Sequence, residues 1–202
     1  DLAVYNARVM GASHVQGVTD LACRHALAQR GVAHLTFPVD LQDEPLKQAP
    51  RSKRNPGEFS GDVMAMSAGL PNEQDLDRAA ALLNESKRIV ILCGRGALGA
   101  GAELEQLAET LGAPIVKALL GKAAVPDDSP YTTGGIGLLG TAPSQAALES
   151  CDLLFMVGTS FPYMEFLPKP GDVRAIQVDI NPVRIGLRYP IEVGLVGDCK
   201  QT

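Results

Sequence analysis

Apolar and polar positions divide the chain into two unequal parts. In the longer part, short apolar runs recur at intervals of one strand plus one helix. They are RIVILC (88–93), PIVKAL (114–119), TTGGIG (132–137), DLLFMVG (152–158), RAIQVD (174–179) and EVGLVGD (192–198). Most lack the polar alternation of a strand with one wetted face, as expected of strands covered on both sides. Helical spacing fills several of the gaps. Asn72 is placed to cap EQDLDRAAALLNES, with Asp75 near the positive end of that helix. Leu104, Leu107, Ala108 and Leu111 share one helical face that Gly112 stops, and PSQAALES follows Thr141, a second capping residue. Strands alternating with helices predict an α/β fold: a doubly wound, mainly parallel six-stranded sheet with helices on both faces.

The shorter part is less regular. TDLACRHALAQR (19–30) has helical spacing with Thr19 as cap and Gly31 as stop, and VAHLTFPVD reads as a strand ending at Pro38. This helix and strand form a remnant of another α/β domain over residues 1–45. Residues 46–72, rich in Pro, Lys, Arg, Gly and Ser, read as an interdomain linker. Residues 73–202 then form the main domain.

Composition narrows the functional classes. The 202 residues are 46% hydrophobic and 20% charged with net charge −5, a globular composition able to build a core. RSKR (51–54) is the densest basic run, too short for a nucleic-acid footprint, so no nucleic-acid partner is expected. No apolar stretch approaches the roughly 20 residues of a membrane span. Cys23, Cys93, Cys151 and Cys199 are scattered without a CxxC pair, and only three histidines accompany them, so no metal site is expected. Unpaired cysteines suit a reducing, cytoplasmic location. The chain starts DLAVYNARVM, without an initiating methionine, and reads as a piece of a longer protein.

One stretch invites a nucleotide. CGRGALGAG (93–101) holds G-x-G-x-x-G at Gly94, Gly96 and Gly99, between an apolar run and a helical pattern. Glycines there let a backbone approach a phosphate, and the helix start offers N–H groups and a positive dipole end. Packing alone also favours glycine at a strand-to-helix turn, so spacing leaves both readings open. A Rossmann-like site for NAD wants an acidic residue ending the next strand, whereas Lys117 ends it here. Other strand ends are well furnished: GGIGLLG (134–140), GTSFPY (158–163), VDINP (178–182) with Asp179, and VGD (196–198) with Asp198. Together they crowd the carboxyl edge of one sheet, where ligands of open α/β sheets bind.

Competing chemistry is poorly supported. Ser160 is not in a G-x-S-x-G elbow, and Lys122 lacks the P-loop spacing. His14, His25 and His34 have no partner at ligand spacing, and Asp127–Asp128 sits in a turn between prolines. Phe161, Tyr163 and Phe166 form an aromatic group after the DLLFMVG strand.

Four segments carry a family resemblance. APIVKALLGKAAVPDDSPYTTGGIGLLG, GTSFPYMEFLP, VDINPVRIG and GLVGDCKQT resemble the central domain of thiamine-diphosphate enzymes, in the branch of pyruvate oxidase and quinone-dependent pyruvate dehydrogenase. Acetolactate synthase is a relative. VTDLACRHALAQRGVAHLTFPVDLQ is similar to the end of that family's pyrimidine-binding domain, which assigns residues 1–45.

The resemblance implies that the central domain binds FAD, extended along the carboxyl edge. It places Gly94, Arg95 and Gly96 in the loop after the first strand, and Leu119 and Lys122 after the second. Gly137, Leu138 and Gly140 fall near the flavin, and Thr159, Ser160 and Phe161 near the cofactor's middle. Asp179, Ile180, Asp198 and Cys199 surround the adenosine end. It further implies that thiamine diphosphate and Mg2+ are held outside this chain, by an upstream glutamate and a downstream GDG motif. No catalytic residue falls here, so the fragment alone is expected to be inactive. In the intact enzyme the substrate is pyruvate or a similar 2-oxo acid, and the assembly a homodimer or homotetramer. A quinone-linked enzyme would lie at the membrane periphery. Two alternatives remain: a non-oxidative decarboxylase or carboligase, and a structural module without a nucleotide.

Overall fold

The computed structural model describes residues 2–45 and 69–202. The chain divides into two units, Asp1–Ser67 and Ala68–Thr202. Most of the expected linker, residues 46–68 with RSKR, lies outside the described residues.

The first unit is a small βαβ element. Strand β1 (Ala3–Arg8) and strand β2 (Val32–Thr36) pair in parallel, with Asn6 opposite His34 and Arg8 opposite Thr36, and helix α1 (Val15–Ala28) connects them. A short helix α2 (Val39–Gln42) follows Pro38. The remnant is therefore strand–helix–strand rather than helix–strand. Strand β1 has only a weak alternation in sequence and is fixed by its partner β2. Helix α1 begins four residues before Thr19, so Thr19 lies inside it rather than capping it. Its end follows the expected stop more closely: Gly31 N–H donates to the Ala26 carbonyl at 3.1 Å, and Arg30 takes the positive-φ position.

The second unit carries the predicted sheet. Its strands are β3 (Ile89–Cys93), β4 (Ile115–Lys117), β5 (Thr132–Gly135), β6 (Leu153–Val157), β7 (Arg174–Asp179) and β8 (Val193–Val196). All neighbours pair in parallel, in the order β5-β4-β3-β6-β7-β8. Helix α3 (Glu73–Glu85) precedes the sheet, α4 (Gly101–Leu111) joins β3 to β4, and α5 (Ala142–Ser150) crosses from β5 to β6.

Local sequence explains the helix ends. The Asn72 side chain accepts from Asp75 N–H at 2.9 Å, and Thr141 Oγ1 accepts from Ser144 N–H, each satisfying an otherwise unpaired first-turn donor. Gly112 ends α4 in the left-handed conformation that glycine adopts without a Cβ penalty.

Strands β3 and β6 are buried at every position, which accounts for their unbroken apolar runs. One core joins Ile89, Ile91, Phe155, Val157 and Ile176 to α3 and α4. The other joins Val90, Leu92, Leu154 and Met156 to Leu148 of α5, and also to Phe161, Leu167 and Tyr189 from irregular chain. Helices thus lie on both faces. The connections after β4, β6 and β7, however, contain only short 3-10 turns. On the α5 face, loops take the place of helices, held in part by the Tyr189 hydroxyl, which donates to the Lys169 and Val173 carbonyls at 3.2 Å.

Candidate functional site

The sheet reverses its winding between β3 and β6. From β3 the chain moves outward to β4 and β5, then returns through α5 to β6 and winds the other way. Loops after these two central strands flank the point where open α/β sheets bind ligands. Here the two loops are packed together. Gly94 N–H donates to the Val157 carbonyl at 3.0 Å, and Gly96 N–H to the Gly158 carbonyl at 2.9 Å. A Cβ on Gly94 would stand 2.5 Å from Thr159 Cβ, and one on Gly96 2.8 Å from Gly158 Cα. The N–H groups of Ala97, Leu98 and Ala100 are also bonded to backbone carbonyls. These glycines therefore answer a demand for close packing, and five of the loop's donors are committed to the fold rather than held out as a phosphate cradle.

The remaining strand ends join this region in sequence along the edge. Ala118 N–H reaches the Cys93 carbonyl, Ile136 N–H the Lys117 carbonyl, and Gly158 N–H the Val178 carbonyl. Phe161 is buried, with its ring against Gly137 and edge-on to Tyr163. Tyr163 in turn packs edge-on to Phe166, so the expected aromatic group forms. Arg95 and Lys122 are exposed, Thr159 is buried, and Ser160 and Gly137 are half-buried. Leu119, Leu138 and Ile180 are 68%, 81% and 46% exposed, whereas Asp179, the last residue of β7, is buried. Gly140 follows Leu138 and donates to the Gly137 carbonyl at 2.8 Å.

The adenosine-end residues divide. Asp179 Oδ1 accepts from Asn181 N–H at 2.9 Å, and its carbonyl accepts from Gly197 N–H, which joins the ends of β7 and β8. Asp198 Oδ1 accepts instead from Lys200 and Gln201 N–H. Cys199 packs against the core on the α3 and α4 face, and burial, then the Asp179 and Asp198 carboxylates, push its thiol up to about 12.

Two polar residues have site roles that the linear pattern does not reveal. Gln177, fully buried in β7, donates through Nε2 to the Thr159 and Arg184 carbonyls at 3.0 and 3.1 Å, and accepts from Gly186 N–H at 2.9 Å. One side chain thus fixes the loop after β6 to the loop after β7. Lys117 is the other. It lies in the strand end where an NAD site would have an acid, and Asp127 holds its ammonium. A polar residue inside an apolar strand is the sequence signal for both, because a buried polar group needs partners. Among the described residues, no three His, Cys, Asp or Glu side chains gather into a metal-binding group.

This geometry can be set beside known proteins. The profile described as "Thiamine pyrophosphate enzyme, central domain" matches residues 76–202. The chain belongs to the thiamine pyrophosphate enzyme family. Within that family, it is 39% identical over 98% of its length to YdaP of Bacillus subtilis, provisionally described as thiamine pyrophosphate-containing, of which it spans 33%. It is 31% identical over its whole length to a pyruvate oxidase of Lactiplantibacillus plantarum, again spanning 33%. Further relatives carry the names of acetolactate synthase and 2-ketoarginine decarboxylase. A solved structure provisionally described as a thiamin diphosphate-dependent enzyme from Mycobacterium smegmatis shares the fold, with a TM-score of 0.68, 24% identity, and coverage of 96% of this chain and 36% of that one. This thiamine pyrophosphate enzyme domain thus spans about a third of these relatives. Among its described residues no helix is long and apolar enough to cross a membrane.

Proposed function

We propose that this chain forms the FAD-binding part of a thiamine diphosphate- and Mg2+-dependent enzyme that oxidatively decarboxylates pyruvate or a similar 2-oxo acid. The observation that carries this reading is the carboxyl edge, along which Leu119 after β4, Leu138 after β5 and Ile180 after β7 stand in solvent, with buried Asp179 ending β7. Exposed apolar side chains grouped along one edge mark a ligand groove or an interface. The likeness of this whole chain to a third of a pyruvate oxidase supports an oxidative assignment.

In this reading Leu138 would lie against the flavin's ring system and help exclude water from it, and Ile180 would serve the adenosine end. The exposed Arg95 and Lys122 would supply positive charge for the diphosphate, and Asp179 would accept a hydrogen bond at the adenosine end. Bound there, the flavin supplies a two-electron acceptor. Thiamine diphosphate and Mg2+ are held by other parts of the intact polypeptide, which assembles as a homodimer or homotetramer.

The test is the intact natural protein, purified with and without added FAD. Retention of the yellow flavin bands through gel filtration, and their loss after Leu138→Asp together with Ile180→Asp, is the expected result. A well-folded protein that retains no flavin sinks the proposal. One observation favours a second reading, a flavin-free carboligase or decarboxylase: the Gly94 and Gly96 N–H groups are already bonded and give nothing to a diphosphate. That protein would turn over a 2-oxo acid while remaining colourless.

A further inference from the structure

In the interior of β7, Gln177 is a polar side chain among the apolar residues Ala175, Ile176 and Val178. It is 2% exposed, so its amide must find partners within the protein. It finds them in two different loops. Nε2 donates to the Thr159 carbonyl in the loop after β6 and to the Arg184 carbonyl in the loop after β7, at 3.0 and 3.1 Å. Oε1 accepts from Gly186 N–H at 2.9 Å, again in the loop after β7.

Both loops leave the carboxyl edge of the sheet from neighbouring strands. The loop after β6 starts at the reversal of winding, where Gly96 N–H holds the Gly158 carbonyl. The loop after β7 starts from buried Asp179 and exposed Ile180. Its next bonds are local. Asp179 Oδ1 accepts from Asn181 N–H, Asn181 Oδ1 from Val183 N–H at 3.1 Å, and the Asn181 carbonyl from Arg184 N–H at 3.0 Å. These bonds shape the loop after β7 without joining it to the loop after β6. The Tyr189 hydroxyl does join the two segments, but at their far ends, on the Lys169 and Val173 carbonyls just before β7 begins.

We propose that Gln177 is a positioning residue for the flavin, a role that rests on the FAD reading above. It fixes the spacing between the loops after β6 and β7, so that one extended dinucleotide meets both at once. Gln177 acts through the loops it ties, since it is buried beneath them. A ligand that spans two elements binds tightly only when they are held in place beforehand, because ordering them on binding costs free energy. A ligand that meets one element alone is indifferent to the tie. FAD therefore depends on Gln177, whereas AMP, which meets only the end of β7 and its local bonds, does not.

The test is titration of the intact natural protein, stripped of flavin, with FAD by fluorescence and with AMP by competition against FAD. Gln177→Leu should weaken FAD about tenfold and leave AMP within about twofold of wild type. Gln177→Glu keeps the shape and the acceptor for Gly186 but loses the donors to both carbonyls. It should weaken FAD in the same direction, and it carries the test where Gln177→Leu does not fold. Tyr189→Phe, which frees the same segments at their far ends, should lower the thermal midpoint and leave FAD affinity unchanged. Unchanged FAD affinity in the Gln177 variants would overturn the positioning role while leaving the flavin reading intact. So would AMP weakened in proportion to FAD, or a Tyr189→Phe protein that loses FAD equally, since either makes the tie merely structural. AMP that fails to compete in the wild type also overturns it, because the loop after β7 then holds no adenosine. A wild type that binds no FAD sinks the flavin reading itself, and this role with it.

Discussion

Lys117 Nζ lies 2.5 Å from Asp127 Oδ1, a lysine side chain 3% exposed held by a carboxylate 74% exposed. The Val125 carbonyl accepts a second bond from the same ammonium at 3.3 Å. The pair pins the loop after β4 to the strand that precedes it. Asp127→Asn should lower the thermal midpoint by several degrees, since it leaves a buried cation without its counter-charge. Lys117→Met, which removes the buried charge as well, should cost less. Reversal of that order in thermal melts would show that the pair does not support the loop.

The same pair sets an acid dependence. The Lys117 ammonium, first by hydrogen bond and then by charge, holds the Asp127 carboxyl below the usual carboxylate range. A group with a depressed folded pKa contributes stability above its unfolded value near 4, and loses it as pH falls through the folded one. Wild-type stability should therefore drop on acidification below about pH 4 more steeply than that of Asp127→Asn. Parallel denaturant curves at stepped pH measure the difference.

Glycines in the loop after β3 should not tolerate substitution equally. Gly94→Ala and Gly96→Ala drive a Cβ into Thr159 and into the Gly158 backbone, and should each cost about 2–3 kcal/mol. Gly99 has φ +93° but open space around it, so Gly99→Ala should cost only about 1 kcal/mol of backbone strain. Urea titration gives the ranking. A phosphate-cradling loop would instead show cofactor loss at all three with stability unchanged.

Gln177→Leu removes three hydrogen bonds at once and leaves the buried Thr159 carbonyl, the Arg184 carbonyl and the Gly186 N–H without that partner. The expected loss is about 2–4 kcal/mol of unfolding free energy, with faster amide exchange at Gly186. Gln177→Glu, which retains the acceptor for Gly186, should keep that amide slower than Leu does.

Thiol labelling should separate the cysteines. Burial pushes Cys93 and Cys151 up to about 11, and Cys199 up to about 12, while Cys23 is exposed. At neutral pH a disulfide reagent should modify Cys23 rapidly, and the other three only on unfolding or slowly at high pH. Rapid modification of Cys93 in the folded protein would contradict the burial of β3.

Signals that act between near neighbours were legible in the linear chain. Six runs became six strands, most plainly β3 and β6, where burial at every position removes the polar alternation that a wet face demands. Asn72 and Thr141 cap their helices because a cap and its donors lie within three residues. The carboxyl edge as the candidate site followed from the same reasoning, since strand direction decides where loops gather. Contacts between distant residues were not legible. Nothing near Gly96 says that Gly158 will press against it, nothing near Lys117 names Asp127 over Asp128, and β1 is recognisable only beside β2. Composition and spacing determine which segments become strands and helices. Which glycine accommodates a neighbour and which carboxylate pairs with a buried cation depend on atoms that packing alone brings together.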